Sequence, residues 1–292
     1  MKLKKYNSNP IMKPNPMNLW EAKYVFNPGV IYDGEIFHMV YRAQGPDMVS
    51  RFGYAVSKDG IKFNRLSEPV FEPENMNEIY GVEDARITYI DSTFHVTYTA
   101  FAPGKISIGL ATTTNFINWK REGVLLENFE KDAVIFPEKI NGKYAMIYSI
   151  EPDMYISYSK DKLKWGKPQK IASPRNGKWD NIAIGIGGIP IKTKEGWLIA
   201  YHGVEDGIKA VYRIGLMLLD LKNPSKLLKR SEEPILEPEM SWEIAGGVPN
   251  IVFSTAMIEV GDKFYMYYGG ADSSIGVATI DRQEIYDWIK VK

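Results

Sequence analysis

The sequence predicts an all-β chain: a five-bladed β-propeller of four-stranded antiparallel blades, followed by a short C-terminal helix. Three observations lead there. A hairpin with an aromatic residue four positions before a terminal Tyr recurs five times, a further strand follows each copy, and the units run to roughly 50 to 65 residues, the period of blades packed around an axis. Residues 1–292 are expected to form one such domain.

The elements justify themselves in order. The second strands of the hairpins are Phe37 to Tyr41, Phe94 to Tyr98, Tyr144 to Tyr148, Trp197 to Tyr201 and Phe264 to Tyr268. Turns such as Tyr32-Asp33-Gly34-Glu35 and Ile140-Asn141-Gly142-Lys143 precede them, and their Asp, Asn and Gly residues supply the positive φ angles of tight hairpins. The third strands begin at Gly53, Gly109, Ile156, Gly215 and Gly276. Phe63, Trp119 and Trp165 each stand six positions beyond a third strand, across a polar turn, and so mark a fourth. Ile285, Trp288 and Ile289 have helical spacing in the tail. The unrepeated segment before Trp20 is expected to cap the propeller or to form a contact in a homo-oligomer.

With 45% hydrophobic residues the chain can build a large core. Thirty-six basic and thirty-six acidic residues cancel, which argues against nucleic acid or an anionic membrane as a partner. Without cysteine there is no disulfide, no thiolate nucleophile and no cysteine-ligated zinc. The basic Met-Lys-Leu-Lys-Lys start leads into a polar, proline-rich stretch rather than an apolar signal core, so the expected location is cytoplasmic. With only three histidines, two of them in duplicated Phe-His steps (His38, His95), no metal centre and no cofactor are expected.

In a propeller the inner strands line a central channel, so polar residues at their starts converge. Those stretches are Asn27-Pro28-Gly29, Gly81-Val82-Glu83-Asp84-Ala85-Arg86, Lys131-Asp132, Trp179-Asp180-Asn181, and Trp242-Glu243 with Pro249-Asn250. Four of the five carry carboxylates, which predicts a shared polar funnel. The position after each terminal Tyr differs between blades (Arg42, Thr99, Ser149, His202, Gly269), and Arg42 and His202 are the expected ligand contacts there. Carboxylates without a metal motif, together with Trp20, Trp179 and Trp242, suit a sugar: rings stack on aromatic faces and carboxyl groups do acid and base work at a glycosidic bond. Gly185-Ile186-Gly187-Gly188 lacks the Lys and Ser or Thr of a phosphate-binding loop and reads as close backbone packing.

These motifs, with Tyr41-Arg42-Ala43, Phe136-Pro137-Glu138, Tyr201-His202-Gly203-Val204 and Tyr267-Tyr268-Gly269-Gly270-Ala271-Asp272, resemble glycoside hydrolase family 130, the five-bladed propellers that include β-mannoside phosphorylases and β-mannosidases. The resemblance implies that Asp84 is the general acid, protonating the glycosidic oxygen through a hydroxyl of the bound mannose. It further implies that Asn27, Arg42, Arg86 and Asp272 bind sugar, and Glu83, Asp132 and His202 join them as candidate substrate contacts. Family phosphorylases hold inorganic phosphate with Arg-Asn, Arg and Lys at places where this chain has Lys131-Asp132, Ser149 and Ala183. Losing those cations points to water as the nucleophile, with Glu205 or Glu243 as its base. The expected function is therefore an inverting β-mannoside hydrolase, with β-1,2-linked manno-oligosaccharides as substrates. The alternatives are a β-mannoside phosphorylase using phosphate as co-substrate and releasing α-mannose 1-phosphate, and a glycan-binding propeller without catalysis.

Overall fold

The computed structural model describes residues 1–127, 131–207 and 209–290, and the predicted blades are present. From the axis outward, blade one consists of Tyr24–Tyr32, Phe37–Gln44, Ser50–Ser57 and the two-residue Asn64–Arg65. Blade two is Gly81–Ile90, Thr93–Ala102, Lys105–Thr113 and Trp119–Glu127; blade three is Lys131–Ile135, Tyr144–Ile150, Asp153–Ser159 and Gln169–Ala172. Blade four is Ala183–Ile186, Trp197–Glu205, Val211–Leu219 and Leu227–Arg230, with Ile191–Lys192 as a short addition beside Trp197–Glu205. The tail forms the expected helix, Arg282–Ile289, which buries Ile285 and Ile289.

Blade five, Val252–Val260, Lys263–Gly270 and Ser274–Asp281, takes its outer strand from the other end of the chain. Lys4–Lys5 pairs antiparallel with Ser274–Asp281, Lys4 lying opposite Thr279. The segment before Trp20 thus closes the ring, and the backbone N–H groups of Ile11 and Met12 donate to Ile275 as well.

Strand side chains alternate between the two faces of a sheet, so each blade buries one face against each neighbour. Among the described residues the core accordingly divides into five clusters, one per seam. Val40, Phe52, Ile87 and Val96 join blades one and two, for instance, and Ile147, Ile156, Ile184 and Ile199 join blades three and four.

A second repeat explains the terminal Tyr. The hydroxyls of Tyr41, Tyr98, Tyr201 and Tyr268 donate to buried carboxylates of Glu21, Glu78, Asp180 and Glu243 at 2.7 to 2.8 Å. Each carboxylate also meets a cation: Arg65, Arg121, the pair Arg175 and Arg230, and Lys5 respectively. Trp20, Trp179 and Trp242 stack on three of these Tyr rings, at 6.2, 5.5 and 5.7 Å between centroids. The third strand supplies glycine opposite each ring. A Cβ at Gly53 or Gly109 would stand 2.2 or 2.3 Å from the Tyr ring, closer than any side chain permits. In blade three the Tyr148 hydroxyl bonds Ser157 Oγ at 2.9 Å.

Candidate active site

The inner strands of blades one to three share one irregularity. Two residues, Asn27-Pro28, Asp84-Ala85 or Asp132-Ala133, oppose a single terminal Tyr on the second strand. The first residue of each bulge is left-handed, with φ of 45°, 56° and 53°. Asn and Asp tolerate that conformation better than other side chains, and a bulge re-aims the side chain it carries. The sequence therefore places a polar group at the same point in three successive blades, and all three line one axial cleft of about 290 Å³. Arg42, Glu83, Thr99, Lys131, His202, Tyr212 and Asp272 line it too.

On one side of the cleft the acidic groups are knitted around a single cation. Asn27 Nδ2 donates to Asp84 Oδ1 at 2.9 Å. Arg42 donates to the same oxygen at 3.3 Å and to Glu83 Oε1 at 2.6 Å, while Ser50 Oγ donates to Glu83 at 2.9 Å. Asp272, also left-handed, faces this group. Burial pushes its carboxyl up to about 7; Arg42 opposes the shift and the charges of Asp84 and Glu83 reinforce it. Burial likewise raises Glu83 against the pull of Arg42. Three carboxyl groups share one guanidinium here, so the set retains a proton near neutrality. Gly269 makes the approach possible, since a Cβ there would lie 2.3 Å from Asn27 Oδ1.

The opposite side, built by blades three and four, has a different character. Arg86, almost fully buried, donates to Asp132 Oδ1 at 2.9 Å and to the carbonyls of Ile186 and Gly187. Burial pushes the Asp132 carboxyl up, but Arg86, His202 and Lys131 outweigh it and hold it below the usual carboxylate range. His202 stays neutral: burial pushes its imidazole down to about 4, although Asp132 pulls the other way. Gly185 leaves room for these groups, because a Cβ would stand 2.3 Å from the His202 ring and 2.7 Å from Ser149 Oγ. Asp132 Oδ2, Ser149 Oγ and His202 Nδ1 are buried and have no hydrogen-bond partner among the described residues. Lys131, on the cleft wall, pairs with Glu151 at 2.6 Å.

The structure thus brings together Asn27, Arg42, Glu83, Asp84, Asp132, His202 and Asp272, with Arg86 directly behind Asp132. It does not bring in the two glutamates expected to act as bases. Glu243 is fully buried in the blade-five latch, where Oε1 accepts from Tyr268 and Oε2 from Lys5 and the backbone N–H groups of Glu239 and Met240. Glu205 pairs with Arg213; strand alternation turns it away from the face that carries His202. Trp20, Trp179 and Trp242, read as sugar platforms, belong to the latches, and Asp180 does as well. Sequence reasoning passed over Tyr212 and Ser50 and set Thr99 aside, although Thr99 lines the cleft. Tyr212 could have been found through its strand: it lies opposite Val204, two residues from His202, on the neighbouring strand of the same hairpin.

Comparison with known proteins adds to this geometry. Residues 2–291 match the family model for glycoside hydrolase family 130, described as β-1,4-mannooligosaccharide phosphorylase. A 1,2-β-oligomannan phosphorylase from Thermoanaerobacter sp. (strain X514) is 46% identical, covering 98% of this chain and 99% of its own. A β-1,2-mannobiose phosphorylase from the same organism is 44% identical over 97% of this chain and 99% of its own. Among solved structures, a β-1,2-mannobiose phosphorylase from Listeria innocua, in complex with β-1,2-mannobiose, superposes with a TM-score of 0.90 at 30% identity, covering 100% of both chains.

Proposed function

The chain belongs to glycoside hydrolase family 130, and on that premise we propose that it is a β-mannoside phosphorylase, splitting β-1,2-linked manno-oligosaccharides with inorganic phosphate and releasing α-mannose 1-phosphate. The observation that carries this reading is the make-up of the cleft wall opposite Asp84. It offers hydroxyl, ammonium and imidazole groups from Tyr212, Lys131 and His202, with the Ser149 hydroxyl beside His202 at Gly185, and among the described residues no carboxylate fit to activate water. Asp132, the carboxylate that lines this wall, is held too acidic by Arg86 to make an effective base, and Glu151 beside it is paired with Lys131. Glu205 and Glu243, which hydrolysis would require, are engaged elsewhere. The exchange of family cations for Lys131, Asp132, Ser149 and Ala183 argued for water on sequence grounds. The donors that stand there instead suit a tetrahedral oxyanion.

In this reading Asp84 supplies the proton that reaches the bridging oxygen as the bond from that oxygen to the mannose anomeric carbon breaks. A phosphate oxygen forms the new bond to the same carbon from the opposite face, inverting it, and Asp84 recovers its proton from solvent. Arg42 and Asn27, both bonded to Asp84 Oδ1, orient the acid. The test is incubation with β-1,2-mannobiose with and without phosphate, followed by product analysis. Turnover should require phosphate and yield equal amounts of mannose and α-mannose 1-phosphate. Undiminished turnover in phosphate-free buffer would restore the hydrolase, and saturable sugar binding without turnover would indicate a binding module.

A further inference from the structure

We propose that the blade-three and blade-four side of the cleft takes phosphate as its protonated monoanion, with Asp132 Oδ2 accepting a hydrogen bond from a P–O–H group. This rests on the phosphorolysis reading above and goes beyond it by fixing the protonation state of the co-substrate and the residue that selects it. Three observations carry it. Among the described residues, Asp132 Oδ2, Ser149 Oγ and His202 Nδ1 have no hydrogen-bond partner, and they belong to residues 3%, 1% and 4% exposed. Buried groups of this kind in a folded protein are normally satisfied, and Asp132 and His202 line the cleft that a ligand would enter. They are also close together: Asp132 Oδ2 lies 3.8 Å from His202 Nε2, and Ser149 and His202 both crowd the face of Gly185.

The charge count sets the second condition. Around Asp132 stand Arg86 from blade two, Lys131 and Glu151 from blade three, and His202 and Tyr212 from blade four. Arg86 and Asp132 form one neutral pair, Lys131 and Glu151 another, while His202 and Tyr212 carry no charge near neutrality. A site without surplus positive charge has little with which to hold a dianion.

The third condition is directional. Ser149, Tyr212 and Lys131 can donate to an oxyanion, but a carboxylate oxygen can only accept. Asp132 Oδ2 repels any anion that arrives without a proton and bonds one that brings it. A site built around such an acceptor rejects an isostere lacking the hydrogen by a large factor, because the buried acceptor is then left unpaired.

The experiment measures initial rates of β-1,2-mannobiose phosphorolysis in buffers spanning the second ionisation of phosphate, with sulfate and arsenate as tetrahedral probes. The KM for total phosphate should climb about tenfold per pH unit once the monoanion becomes scarce, while the KM for mannobiose in the same buffers changes little. Arsenate, which ionises like phosphate, should substitute for it; sulfate, which has no proton to give, should compete at least about tenfold more weakly than phosphate binds. The conservative Asp132→Asn variant can donate where Asp132 accepts, so sulfate should compete better and the pH dependence of the phosphate KM should flatten. The wild-type comparison stands even if that variant fails to fold around Arg86. A phosphate KM flat in pH, sulfate competing as tightly as phosphate, or an Asp132→Asn defect confined to the mannobiose KM overturns the inference. Absence of phosphate-dependent turnover at every pH instead overturns the reading on which it rests.

Discussion

Two sets of acidic side chains surround the inner strands, and they have opposite fates. Glu21, Glu78, Asp180 and Glu243 sit in the segments that lead into the inner strands, Glu21 and Glu243 within short helical turns, each closed off by a Tyr hydroxyl and a cation. Asp84 and Asp132 sit on left-handed bulges and turn toward the axis, with Glu83 and Asp272 beside them in the cleft. In blades one and two the distance between the sets is the same, since Glu21 precedes Asn27 by six residues and Glu78 precedes Asp84 by six. Residue type does not separate scaffold from chemistry here; position relative to the bulge does.

The sharpest way to break the comparison is to neutralise one member of each set. Asp84→Asn keeps a side chain that tolerates the left-handed backbone, so the fold should survive while phosphorolysis falls by about 10³-fold or more, read as initial rates alongside a melting curve. Glu243→Ala should do the reverse. It strands Lys5 and the Tyr268 hydroxyl, and urea unfolding should register a loss of about 3 to 5 kcal/mol, with the rate per folded molecule within about threefold of the parent protein. A large rate defect in folded Glu243→Ala would return that glutamate to the chemistry.

The smallest expected effect concerns Asp272. Its folded carboxyl titrates at about 7 against an ordinary value of 3.8, so between those values the native state holds a proton that the unfolded chain has released. Its contribution to stability is complete at pH values below 3.8 and is lost as the pH rises toward 7, with a slope of at most about 1.4 kcal/mol per pH unit for one proton. Denaturant midpoints measured across that window should decline with pH, and Asp272→Asn should flatten the decline. An unchanged slope would mean that the proton resides elsewhere in the Arg42 cluster.

Much of the fold was legible because the blade repeat imposes local requirements that residues must meet individually. A Tyr at the end of the second strand needs a glycine across from it, so Tyr41 with Gly53 and Tyr98 with Gly109 recur in register. Part of the cleft on both sides was legible for a related reason: Asn27, Asp84 and Asp132 occupy equivalent positions. What the residues alone could not reveal was which carboxylates are already satisfied. Glu243 meets Lys5 across 238 residues of chain, and no local pattern announces that pairing. The same blindness made Trp20, Trp179 and Trp242 resemble sugar platforms. An indole before an acidic residue looks alike whether it covers a ligand or a Tyr ring.

The outer strand of blade five has a consequence for how the molecule is made. Lys4 and Lys5 are synthesised long before their sheet neighbours Ala278 and Thr279. The ring therefore cannot close until the third strand of blade five has been made, and the loop to be closed spans all four preceding blades. Because Lys5 also neutralises Glu243, that final stitch and the internal ionic clasp of the last blade are settled in a single event.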